Sequence, residues 1–133
     1  MIRVQGACAV GLLAILLAGP AWGESLPVQT QGNVSYVSGG VGDEEMAALK
    51  AIQASYNLRL LFVGRDGHYL SGTQVVVKNA KSEAVLDAES HGPYFYAKLP
   101  AGRYSVSASH DGKTQTRPLQ VGTKGGKQTT FRW

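Results

Sequence analysis

Three histidines, His68, His91 and His110, fall in three different connections between strand-like runs, with Asp66 and Asp111 beside two of them. Imidazole and carboxylate groups together can hold a divalent metal, and imidazole alone changes charge at about pH 6 to 7. If successive strands alternate in direction, the connections after the first, third and fifth strands share one end of the molecule. Parity sets that common end and leaves the separations open. As plain polar turn residues the three need no ligand, so a metal centre is the alternative to check and no cofactor is expected. A second chemistry lies in Tyr94, Tyr96 and Lys98, which alternate with Phe95, Ala97 and Leu99 and so share the outward face of one strand. Aromatic rings on a flat sheet face can stack on the apolar faces of sugars while a lysine meets anionic groups, which makes this the candidate ligand-binding strip. Tyrosines also pair across strands for packing alone.

Catalytic constellations are not legible. No Gly-x-Ser-x-Gly elbow occurs, and Gly122-Thr123-Lys124-Gly125-Gly126-Lys127 lacks the spacing and the following helix of a phosphate loop. That glycine-rich run reads as a hairpin turn. A non-enzymatic protein is expected.

The elements that must position these residues change period along the chain. Around the break Leu99-Pro100-Ala101-Gly102, Phe95, Ala97 and Leu99 alternate on one side, and Tyr104, Val106 and Ala108 on the other. Pro100 cannot donate a ladder hydrogen bond and Gly102 tolerates a positive φ, so a β-hairpin turns there. Strands are expected at 58–63, 74–79, 84–89, 94–99, 103–110, 116–121 and 128–133. Their inward set is Leu60, Phe62, Val75, Val77, Leu86, Phe95, Leu99, Tyr104, Val106, Leu119 and Phe131. Seven short strands without intervening helices predict a mainly β protein, a seven-stranded antiparallel β-sandwich of transthyretin-like or Ig-like kind.

Ahead of the strands, residues 24–42 read as a flexible leader with a short strand at 34–37. Residues 43–57 read as one amphipathic helix, capped by Asp43, with Met46, Leu49, Ile52 and Tyr56 at three- and four-residue spacing. Leu61, Val63 and Val76 break the alternation by lying on faces that should be wet. The helix is therefore expected to pack over them.

Residues 1–23 read as a secretory signal: Arg3, an apolar run from Ala7 to Ala18, then Ala21 and Gly23, with cleavage before Glu24. The run is too short to span a bilayer, which takes about 20 residues. Its loss removes Cys8 and leaves 110 of 133 residues, with 12 basic against 9 acidic side chains and no disulfide. A periplasmic or secreted module follows, with no transmembrane segment in the mature chain and nucleic acid disfavoured as a partner. After Asp111 the charges are Lys113, Arg117, Lys124, Lys127 and Arg132, a basic end that reads as a solvated face.

The run Gly67-His68-Tyr69-Leu70-Ser71-Gly72-Thr73-Gln74-Val75-Val76-Val77, with Leu99-Pro100-Ala101-Gly102-Arg103-Tyr104-Ser105-Val106-Ser107-Ala108, resembles the carboxypeptidase regulatory-like family. The resemblance covers residues 58–133 and implies a transthyretin-like sandwich grouped with carbohydrate-binding-like folds. The wider layout is similar to short exported proteobacterial proteins with no assigned activity. In metallocarboxypeptidases the module accompanies a separate zinc-binding catalytic domain. Here Ser71, Tyr94 and Lys113 stand three residues after the histidines, where zinc peptidases of that type carry glutamate, so peptidase activity is not carried over. What the resemblance implies is an exported interaction module with a protein or glycan partner in the cell envelope. The alternative is carbohydrate or cell-wall binding through Tyr94, Tyr96 and Lys98.

Overall fold

The computed structural model describes residues 26–123 and 126–133, so the expected signal over 1–23 and the turn residues Lys124 and Gly125 lie outside the described residues. The chain forms β1 (Gln29–Gln31), β2 (Val34–Gly39), α1 (Gly42–Ile52) with a 3-10 turn at Gln53–Ser55, then β3 (Leu58–Val63) and β4 (Thr73–Asn79). There follow β5 (Ala84–Ser90), β6 (Tyr94–Lys98), β7 (Gly102–His110), β8 (Lys113–Val121) and β9 (Lys127–Arg132). Two sheets result, one of order β8-β7-β4-β5 and one of order β9-β3-β6-β2-β1.

The alternating residues do what their period requires. Leu58, Leu60 and Phe62 of β3, Val75 and Val77 of β4, Leu86 of β5, Phe95 of β6, Val106 of β7 and Phe131 of β9 meet between the sheets, all essentially removed from water. Leu119, expected in the core, lies at the edge strand β8 and is only partly buried against it. Tyr104 closes the expected turn by donating its hydroxyl to Pro100 O at 2.7 Å.

Two features correct the expected architecture. Nine strands rather than seven are paired among the described residues, because the expected leader supplies β1 and β2, and β2 lies against β6 in the middle of the larger sheet. The sandwich is not wholly antiparallel either: β9 pairs with β3 in parallel, from Lys127 opposite Leu58 to Arg132 opposite Val63. Counting from β3, each connection reverses the chain, so β3 and β9 run the same way and can adjoin only in parallel. Because β8 and β9 lie in different sheets, the connection between them does not close the hairpin expected there.

The helix docks elsewhere than expected. Its stripe of Met46, Leu49 and Ile52, continued by Tyr56, packs on Val37 of β2 and on Tyr94 and Tyr96 of β6, with Leu26 closing the cluster. Val76 belongs to the other sheet, where register sets it between Ser107 and Asp87, so α1 cannot cover it. Leu61 stays half-buried, and Val63 is buried where the returning loop pairs Tyr69 with it. Asp43 is not the cap. The Glu45 carboxylate instead accepts from the N–H groups of Gly40 and Val41, each at 3.0 Å, at the amide-rich start of the helix.

Candidate functional site

The corner between the helix start and the β3–β4 loop gathers the exposed aromatic surface. Leu70 packs against the core and its N–H donates to Phe62 O at 3.0 Å, while Gly64 N donates to His68 O at 2.7 Å. With its neighbours held on both sides, Tyr69 is turned out of the core and is 58% exposed. Its ring meets Tyr94 with centroids 6.0 Å apart and planes at 73°. From there the aromatic contacts run inward, Tyr94 to Tyr96 at 6.3 Å and Tyr96 to Tyr56 at 6.1 Å. Four tyrosines form a file from open water to the underside of α1.

That file revises the expected strip. Tyr94, Tyr96 and Lys98 do face away from the sandwich core, as their alternation requires, but Tyr96 is 3% exposed beneath the helix and Tyr94 is half-buried. Lys98 is exposed at the far end of β6, beyond Tyr96. The three therefore make no continuous open platform. Tyr69, which the alternation did not single out because it sits in a loop, is the open ring; the apolar Leu70 beside it, half-buried against the core, was its only signal.

Electrostatics follow the burial. The Tyr94 phenol is pushed up to about 12, first because burial penalises phenolate and then because the neighbouring Tyr69 phenol opposes its charge. Burial also raises Tyr96, against the pull of the Arg59 guanidinium, and raises Tyr56. Arg59 itself donates to Gly126 O.

The histidines share one end, as parity requires, and do not assemble. His68 Nδ1 lies 2.5 Å from the Asp66 carboxylate, which also accepts from His68 N at 3.1 Å; these bonds, the backbone one first, hold the Asp66 carboxyl below the usual range. His91 is exposed and donates its backbone N–H to Ser38 Oγ at 3.0 Å, on a cavity of about 160 Å3 shared with Gln29 and Glu45. His110 packs its ring on Trp133 at 5.7 Å. Among the described residues no three metal-ligating side chains group together.

Side-chain amides and guanidinium groups that sequence reasoning missed seal the sandwich edges. Gln31 of β1 bonds the backbone of Asp87 in β5, and on the opposite edge Gln115 and Arg117 of β8 donate to Arg132 O at 2.7 Å and Thr130 O at 2.8 Å in β9. Such edges offer less backbone to foreign strands. Compared with known proteins, the chain matches no family model and no curated protein.

Proposed function

We propose that this chain is a non-enzymatic interaction module of the carboxypeptidase regulatory-like kind, exported after cleavage near Gly23/Glu24 and acting in the periplasm or outside the cell. The observation that carries the reading is how the reactive groups are used. His68 and Asp66 are bound to each other, Glu45 holds the helix start, and His110 packs on Trp133, while the Tyr69 ring at the same end stands open. A surface that holds a partner fits that division better than a reaction site, which needs convergent polar groups in a concave pocket. The two-sheet sandwich and the Tyr104 hydroxyl closing the Leu99–Gly102 turn support the resemblance.

The test is expression of the full chain in a Gram-negative cell, followed by fractionation, intact mass and binding to isolated envelope. A periplasmic product lacking residues 1–23, bound saturably to an envelope component that it leaves chemically unchanged, is expected. Retention of the uncut chain in the cytoplasm, or turnover of the bound component, would overturn the reading.

A further inference from the structure

We propose that Tyr69 and Tyr94 form a subsite for one sugar ring of a β-1,4-linked glycan, with the ring stacked on Tyr69 in the corner that the two phenols make. The inference rests on the interaction-module reading and names the ligand class of its open surface.

The corner is built rather than incidental. Backbone bonds hold Tyr69 through its neighbours, since Leu70 N donates to Phe62 O at 3.0 Å and Val63 pairs with Tyr69 as a bridge. With the backbone held in this way, a ligand that lands on the ring has only two side-chain torsions to order. The second plane, Tyr94, stands at 73° to the first. Tyr94 is seated on Gly40, whose φ is +107° and where a Cβ would come 2.7 Å from Tyr94 Cδ2 and 3.3 Å from Pro93. The same loop carries Arg65, Asp66 and His68, all exposed, the last two bonded to each other.

These features match a pyranose with equatorial substituents. Such a ring offers a flat C–H face to an aromatic plane and a girdle of hydroxyls to the two phenol oxygens and to the polar loop that carries Tyr69, the division of apolar floor and few polar groups usual in small-ligand sites. A protein partner fits less well. Among the described residues the large exposed hydrophobic side chains are Val28, Val41 and Tyr69, few for the apolar centre of an interface that buries about 800 Å2 on each side.

Calorimetric titration of the full mature chain with cellotetraose and chitotetraose tests the proposal, with α-linked maltotetraose as control. Binding of at least one β-linked tetrasaccharide in preference to the control is expected. Tyr69→Ala should weaken it by about tenfold or more, Tyr69→Phe should keep most of it, and Ser107→Ala on the opposite sheet should leave it unchanged. Tyr69→Ala gives up only the edge contact with Tyr94, so all three variants should stay folded with melting close to the parent's, and loss of binding by a folded variant reads as loss of the subsite. No binding by either β-linked probe at about 1 mM, or binding that Tyr69→Ala leaves intact, overturns the proposal. So does envelope binding that Tyr69→Ala abolishes but that proves to be to a protein. In that case the interaction-module reading stands; if the chain binds no envelope component, both fall.

Discussion

The carboxamide of Gln31 pairs with the backbone of Asp87 as a neighbouring strand would: Nε2 donates to Asp87 O at 2.7 Å and Asp87 N donates to Oε1 at 2.9 Å. One side chain thereby joins β1, the edge of the larger sheet, to β5, the edge of the smaller. Gln31→Ala leaves both backbone groups to water, so its expected cost is modest, about 1 kcal/mol, with faster hydrogen exchange at the Asp87 amide. Gln31→Glu keeps the acceptor but sets a carboxylate against Asp87 O, and at neutral pH it should cost at least as much. Denaturant midpoints and amide exchange check both; unchanged exchange at Asp87 in the alanine variant would show that the pairing is not kept in solution.

Asn57 performs a similar task where three segments end. Its Nδ2 donates to Leu99 O at 2.7 Å and Gly122 O at 3.0 Å, and its Oδ1 accepts from Leu99 N at 2.9 Å. Asn57→Asp preserves shape and removes both donors, leaving a carboxylate facing two carbonyl oxygens. The expected loss is about 2 to 3 kcal/mol at pH 7. Part of it should return in acid, where the protonated side chain regains one donor. A variant equally stable at both pH values would contradict the arrangement.

The seven period-two strands were legible because each buries one face, and each begins and ends within a few residues of its expected place. β1 was not, since Gln29, Thr30 and Gln31 are polar on both faces and the strand is a short edge held by β2 and one amide. Gly39 and Gly40 read as chain breakers, but Gly39 is needed for close approach as well: a Cβ there would strike Leu26 and a Cβ on Gly92 would strike the Gly39 carbonyl. The helical stripe was correct in composition and misplaced in space, because alternation assigns a residue to a face without saying in which of two sheets its strand lies. For the same reason Tyr96 could be set on the outer face while the helix above it could not be seen. Parity brought the histidines to one end, and loop geometry, which no periodicity reports, kept them apart.

Burial and the Tyr69 phenol push Tyr94 up to about 12, whereas in the unfolded chain it titrates near the ordinary value of 10.0. Between those values the folded state holds the extra proton. The stabilisation is therefore complete below about pH 10 and lost as pH rises toward 12. Phenolate absorbance of the native protein should show a late step that Tyr94→Phe removes and Tyr69→Phe moves to lower pH. If every tyrosine ionised together near pH 10, the packed file would be refuted.

Leu49 decides whether α1 belongs to the cooperative fold. It is fully buried, and it meets Val37 and Tyr96 in a cluster separate from the main core, on the outer face of the larger sheet. A helix that docks only to screen that face and one that peels away freely give opposite results for Leu49→Ala. Docked, the variant loses the burial of the removed methyl groups and leaves a cavity under the helix, costing about 2 to 5 kcal/mol. Peeled away, it changes global stability hardly at all. Deleting residues 24–56 would not separate the cases, because it also strips β2 from its place beside β6. The point substitution leaves the sheet intact, and Lys50→Ala, one residue along on the exposed side of α1, controls for helix propensity. A single unfolding transition shifted to lower denaturant by Leu49→Ala but not by Lys50→Ala is the expected outcome. Coincident curves for all three proteins would reject docking.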